Sequence, residues 1–264
     1  VVPSFATGLV ELVPDFGLSG PLEARGSDCG GILNGIDTST WDPSHDEHLP
    51  KPYDITTSSR KREIGRQLSE ETGLVAGDEP LIGMVTRLTQ QKGVDLALDL
   101  VGHLESMGAR MILLGSGDEA LARQARKLAR GSERRFVFVD AFDEGLAHRI
   151  FGGCDLFLVP SRFEPCGLTQ MQAMRYGAIP VVTGVVGLRD TVIDADADPE
   201  KGTGFVSPTP DAASFRVAVE RALTAWRSTR RRGAIRRNGM RRDWSWSSPA
   251  TDYLRLYEEV ISGR

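Results

Sequence analysis

Two stretches of the sequence place charged side chains where a diphosphate and a sugar could be held together. The first is Thr86-Arg87-Leu88-Thr89-Gln90-Gln91-Lys92-Gly93. An arginine offers a planar fork and a lysine a compact charge, and two such cations beside one another suit a diphosphate. The plain alternative is a polar loop whose cations sit in water. The second stretch is Pro160-Ser161-Arg162-Phe163-Glu164-Pro165-Cys166-Gly167-Leu168-Thr169-Gln170. Pro165 and Gly167 force an irregular backbone. A helix starting just after them would leave the amides of residues 167–169 free for an anion. Glu164 would repel an anion there, so the carboxylate fits better against neutral hydroxyls such as those of a sugar. Its alternative is an acid stabilised by the start of a helix.

Three further constellations carry weaker chemistry. Asp140-Ala141-Phe142 could offer an aromatic face to a base, although a core phenylalanine is the simpler reading. Gly30-Gly31-Ile32-Leu33-Asn34-Gly35-Ile36-Asp37 permits a tight turn in which Asn34 could meet hydroxyls, against an alternative in which Asn34 and Asp37 cap their own backbone. The arginines between Arg227 and Arg242 could bind a polyanion, but interrupted by Ala234, Ile235 and Met240 they read as a solvated helix face. His45, His48, His103 and His148 form no metal pattern, and a metal contact by the pair in the acidic 42–48 loop is a remote reading. Neither a nucleophile elbow nor a phosphate-loop motif occurs. Glu164 has no evident partner carboxylate for glycosidase chemistry.

The elements that must position these residues show in the hydrophobic pattern. Short apolar runs at 81–86, 110–114, 136–139, 155–159 and 179–182 read as strands buried on both faces. Helical periods at 93–107, 118–130, 144–151, 168–176 and 212–226 alternate with them. Alternation of this kind predicts a doubly wound, Rossmann-like α/β domain with a parallel sheet, in which ligands bind at the carboxyl ends of the strands. Both charged stretches follow predicted strands. Residues 38–60, rich in Pro, Asp, Ser and Thr, read as an irregular connection. The net charge of −4 gives no basic signature for nucleic acid. No run approaches a membrane span. The three cysteines, at 29, 154 and 166, match no zinc or redox spacing and read as free thiols of a reducing compartment.

The run Leu158-Val159-Pro160-Ser161-Arg162-Phe163-Glu164-Pro165-Cys166-Gly167-Leu168-Thr169-Gln170 closely resembles the donor-site motif of bacterial glycogen synthases and plant starch synthases. The stretches 31–37, 87–93 and 115–117, and Asp243-Trp244-Ser245-Trp246, resemble the same family in the same order. The resemblance implies a GT-B fold of two Rossmann-like domains and a retaining transfer of glucose from ADP-glucose to the non-reducing end of an α-1,4-glucan. The alternatives are a related enzyme using UDP-glucose and a non-catalytic nucleotide-sugar-binding fragment. It divides the chain into the tail of an N-terminal domain (1–30), an interdomain connection and linker (31–80), a nucleotide-sugar-binding domain (81–230) and C-terminal helices (231–264). The family's Lys-x-Gly-Gly-Leu loop is not found, so the expectation is a C-terminal portion that lacks most of its N-terminal domain and is inactive alone.

By the same resemblance Arg87, Lys92 and Glu164 are the catalytic residues. The two cations hold the diphosphate and stabilise the leaving group, while Glu164 orients the glucose. Asn34, Phe142, Cys166, Gly167, Leu168 and Thr169 bind the donor, Phe142 lying where the family has an aromatic against adenine. No metal or other cofactor is implied, and neither nucleic acid nor membrane is an expected partner. The expected compartment is the bacterial cytoplasm, before the plastid. Val186 stands where the family pattern has a glycine.

Overall fold

The computed structural model describes Gly20 and residues 24–262. The expectation for residues 1–30 therefore lies largely outside the described residues. Six strands form one sheet: β1 (Leu81–Val85), β2 (Arg110–Leu114), β3 (Phe136–Val139), β4 (Leu156–Val159), β5 (Ile179–Thr183) and β6 (Phe205–Ser207). Every pairing is parallel and the order is β3-β2-β1-β4-β5-β6. This is the doubly wound arrangement read from the sequence. Because the winding reverses between β1 and β4, a crevice opens beyond their carboxyl ends.

Alternate residues of each strand feed two apolar layers. On one face Met111 and Leu113 of β2, with Ile82 and Met84 of β1, pack with α2 (Val94–Asp99), α3 (Val101–Ser106), α4 (Glu119–Gly131) and α8 (Ala212–Arg227). On the other, Ile112 and Leu114 join Leu81, Phe157 and Val159 under α1 (Lys61–Thr72), α5 (Glu144–Gly153) and α6 (Thr169–Arg175). Side-chain caps set several starts. Asp118 accepts from the amides of Ala120 and Leu121 at 2.8 and 3.1 Å, and Asp143 from Leu146 at 2.8 Å. The helix expected across 93–107 is two helices meeting at Leu100, where the bond from the Leu100 amide to the Ala97 carbonyl tightens the turn. Short α7 (Val186–Thr191), α9 (Thr229–Arg241) and α10 (Ser247–Ser262) complete the described chain. Among the described residues no helix is long and apolar enough to cross a membrane.

The connection at 38–60 is irregular, as expected, yet firmly anchored. Trp41 stacks on His148 with ring centroids 4.0 Å apart. Buried Asp46 accepts hydrogen bonds from His148 Nδ1 at 2.8 Å and from the Tyr176 hydroxyl at 2.5 Å. His148 thus serves packing, and among the described residues no group of three His, Cys, Asp or Glu could hold a metal ion.

The arginine run is not simply a solvated face. Arg236 donates to the Gly177 carbonyl at 2.9 Å, and Arg242 to the Thr191 carbonyl at 2.8 Å while lying over the Trp244 ring. These half-buried guanidiniums tie α9 and its C-terminal end to α6 and α7, because loop carbonyls near the core need donors. Arg227, Arg230, Arg237 and Arg241 do face solvent.

Lys61 is 2% exposed, and its ammonium donates to the Phe151 and Gly152 carbonyls at 2.9 and 2.8 Å. It satisfies the last carbonyls of α5, at the end where the helix dipole favours a cation. Burial pushes its pKa down to about 7. Unfolded lysine titrates near about 10.4. Between these values the unfolded chain holds a proton that the folded chain has released, so stability rises with pH across that window and is lost as pH falls to 7. Urea unfolding at pH 7.5 and pH 9 is expected to show a gain at the higher pH that is larger in the wild type than in Lys61→Met by about 1–2 kcal/mol. Equal gains in the two proteins would contradict a folded-state pKa near 7.

Candidate functional site

The two charged stretches meet at the switch point. The loop after β1 is stitched to the loop after β2. The Thr86 amide bonds the Leu114 carbonyl at 3.0 Å, the Leu88 amide bonds Ser116 at 2.9 Å, and the Asp118 amide returns to Leu88 at 2.8 Å. Leu88 is buried, while Arg87 beside it is exposed at the sheet edge. The chain then turns at Gly93, whose φ is +64° and whose Cβ position would fall 1.8 Å from the Pro160 carbonyl oxygen. No side chain fits there, so only glycine lets the loop after β1 lie directly against the loop after β4.

That contact brings opposite charges together. Lys92 Nζ donates to Glu164 Oε2 at 2.5 Å, and the Ser161 hydroxyl donates to the same oxygen at 3.3 Å. Both side-chain bonds that reach Glu164 among the described residues fall on Oε2, which leaves Oε1 for a ligand. Glu164 is 7% exposed and Lys92 partly buried, so this is a desolvated pair rather than a surface one. The Arg87 guanidinium has no protein partner among the described residues. Arg87, Lys92, Ser161, Glu164 and Thr169 line one pocket of about 200 Å³, floored by the last residues of β1 and β4. Four larger cavities among the described residues do not touch these strand ends.

A second set of bonds holds the two loops in register. Arg162 makes a two-pronged ion pair with Asp95 at 2.7 and 2.6 Å and donates to the Gln90 carbonyl at 2.9 Å. The pair holds the Asp95 carboxyl below its ordinary range and raises the Arg162 guanidinium. Gln91 Nε2 answers with a 3.1 Å bond to the Phe163 carbonyl. The Thr183 hydroxyl, at the end of β5, donates to the Ser161 carbonyl.

The turn into α6 is built around Gly167, at φ +72°, where a Cβ would lie 2.4 Å from Gln170 Oε1. Buried Gln170 donates to the Gly167 carbonyl at 2.7 Å, to Cys166 at 3.1 Å and to Thr191 Oγ1 at 3.0 Å. Leu168, the residue before α6, supplies no side-chain cap. Cys166 meets the Asn34 amide, which lowers its pKa, but burial outweighs this and raises the thiol, keeping it neutral beside the pocket. Leu33 packs with Phe163, Cys166 and Val186. The 31–36 loop is itself pinned at the other side by the bond from the Ile36 amide to the Trp244 carbonyl, 2.7 Å.

The structure therefore gathers Arg87, Lys92, Glu164 and Thr169 around one pocket and sets Cys166, Gly167, Leu168 and Asn34 along the adjoining turn. Phe142 does not lie in the core, contrary to the simpler reading of the sequence. It follows the edge strand β3 and is 92% exposed, because the chain leaves the sheet there and none of the described residues covers it. Arg162, Gln91, Asp95 and Gln170 shape the site yet were not among the candidates. Their signal was position alone, within or next to the two charged stretches.

The family model for glycosyl transferases group 1 matches residues 66–241. The glycogen synthase of Halorhodospira halophila is 42% identical over all of this chain, which covers 55% of that relative. The glycogen synthase of Alkalilimnicola ehrlichii is 44% identical over 98% of this chain, again covering 55% of the relative. Among solved structures, the catalytic domain of starch synthase IV from Arabidopsis thaliana, bound to ADP and acarbose, matches 99% of this chain and 55% of its own with a TM-score of 0.93 at 35% identity. The chain thus spans about half the length of the relatives it matches.

Because Gly93 admits no Cβ, Gly93→Ala is expected to lower the free energy of unfolding by about 1–3 kcal/mol, through strain at positive φ and displacement of the Pro160 loop. Urea denaturation measures this. A change below about 0.5 kcal/mol, the size of an ordinary surface substitution, would show that the two loops do not press on each other.

Proposed function

The chain belongs to the glycosyl transferases group 1, and from that premise we propose that it binds the nucleotide-sugar donor of a retaining glucosyltransferase of the glycogen and starch synthase kind. The donor is ADP-glucose and the acceptor the non-reducing end of an α-1,4-glucan. One observation carries the reading: Arg87, Lys92 and Glu164 converge on a single pocket at the switch point of the sheet. The glycogen synthase relatives and the likeness to a starch synthase domain bound to ADP support the choice of donor.

Each residue then has a chemical task. Arg87, exposed and without an ion pair among the described residues, grips the diphosphate and stabilises the charge that grows on ADP as the glycosidic bond breaks. Lys92 stands between diphosphate and sugar, with its ammonium on Glu164. Glu164, neutralised on Oε2, accepts glucose hydroxyls on Oε1 and orients the ring. Thr169 and the uncapped turn at Gly167 and Leu168 meet sugar and phosphate, Cys166 bordering them as a neutral thiol. Asn34 closes the sugar side, and exposed Phe142 offers its face to the base. With Glu164 bound to its lysine and no other carboxylate lining the pocket, the proposed route is front-face displacement, in which the leaving phosphate assists the incoming hydroxyl. A facing domain that binds the glucan, and the absence of a metal requirement, belong to the same proposal.

Calorimetric titration of the chain tests the division of labour. Arg87→Ala should weaken ADP binding 10- to 100-fold, as loss of a charged hydrogen bond worth about 1.5–3 kcal/mol requires. Glu164→Gln should change the ADP affinity by less than about threefold, while weakening ADP-glucose about tenfold. If Glu164→Gln abolishes ADP binding, Glu164 holds the fold of the pocket and not the sugar. If UDP binds more tightly than ADP, the donor is a uridine nucleotide.

A further inference from the structure

A second cavity, of about 410 Å³, opens at the opposite edge of the same sheet, beside the residues that lead into β1 and β4. Its wall is strongly cationic, in a chain whose net charge is −4. Arg66 and Arg110 are matched there by Asp78 at 3.0 Å and Glu79 at 3.8 Å. The other cations are not matched. Arg232 and Arg236 have one carboxylate between them, Asp155, which lies 3.3 Å from Arg236, and Arg62 makes no ion pair among the described residues.

Arg62 has no hydrogen bond or ion pair among the described residues, although it lies on the first turn of α1 at the cavity wall. Arg232 donates to the Trp226 carbonyl at 2.8 Å and lies over the Trp226 ring, with no carboxylate of its own. Burial lowers its pKa, and the neighbouring Arg236 and Arg62 push in the same direction, against Asp155. Three guanidiniums therefore line one wall: Arg232 and Arg236 are half-buried, Arg62 is exposed, and the acids near them are Asp155, bonded to Arg236, and Asp78, already paired with Arg66. An anion entering the cavity would offset the repulsion between these like charges. Ser58, Ser59, Thr229 and Gly233 line the same wall.

We propose that this cavity is a second anion site, separate from the donor pocket, in which Arg62, Arg232 and Arg236 take a phosphate-bearing ligand. A tetrahedral phosphoryl group has enough oxygens for three forks, whereas one carboxylate has two oxygens. The cavity volume leaves room for an organic group on the phosphate. Leu81 and Asp155 border this cavity, and Val85 and Val159 border the donor pocket. At about 3.3 Å per residue the two sites lie roughly 13 Å apart along β1, beyond a Debye length at physiological salt.

Calorimetric titration with inorganic phosphate at constant ionic strength tests the site on the unaltered chain, Arg62→Gln and Arg87→Ala. Arg62 is exposed and makes no side-chain hydrogen bond or ion pair among the described residues, so its loss should not disturb the fold; circular dichroism checks this. Saturable binding that Arg62→Gln weakens at least threefold, and that Arg87→Ala leaves within twofold, supports the proposal. Arg232→Gln should weaken it further. A parallel titration with a hexose monophosphate distinguishes the sources: tighter binding than phosphate assigns an organic phosphate, equal binding assigns the free ion. No saturable binding, or binding indifferent to Arg62→Gln or lost in Arg87→Ala, overturns it.

Discussion

The Pro160 carbonyl leaves no space for a side chain at position 93, and this close approach fixes the distance between the two halves of the pocket. Adjacent placement of β1 and β4, which are 70 residues apart in the chain, follows from the reversal of winding in the sheet. Adjacency alone would put the two loops near each other. The glycine lets them touch, the Arg162–Asp95 fork keeps them from sliding, and Lys92 then reaches Glu164. The donors and acceptors of the pocket are thus held by strand ends and two half-buried ion pairs.

The pairing of Lys92 with Glu164 also settles an electrostatic conflict. A bare carboxylate beside a diphosphate would repel it at short range. In the proposed reading, Glu164, its charge met by the lysine on one oxygen, would accept neutral hydroxyls with the other, and Arg87 would supply attraction for the phosphates. The neutral Cys166 thiol, kept protonated by burial, adds no opposing charge. The pocket is graded, from cationic at Arg87 to hydrogen-bonding at Glu164, and the proposed donor would present diphosphate and hexose in that order.

Much of the scaffold was legible in the sequence because parallel strands covered on both faces are written as unbroken apolar runs. Leu81–Val85, Arg110–Leu114 and Leu156–Val159 show this plainly. β6 escaped because Phe205-Val206-Ser207 is too short to show a pattern between Gly204 and Pro208. α1 escaped because its buried apolar side chains are only Ile64 and Leu68 among charged neighbours. The charged stretches of the site were found from residue type and from their places after strands. Their mutual contact was not, since nothing in a linear sequence tells a cation in water from one bonded to a carboxylate 72 residues away. Phe142 and the α9 arginines misled for a related reason: an aromatic suggests a core and a charge run suggests solvent, yet here the ring is exposed and several guanidiniums are half-buried on carbonyls.

A crystal structure of the chain soaked with ADP-glucose would test most directly whether the ends of β1 and β4 form one donor site. The diphosphate should lie within hydrogen-bonding distance of the Arg87 guanidinium, with glucose hydroxyls on Glu164 Oε1 and the Lys92–Glu164 pair intact. A nucleotide bound elsewhere, or one whose phosphates and hexose contact only one of the two loops, would contradict it.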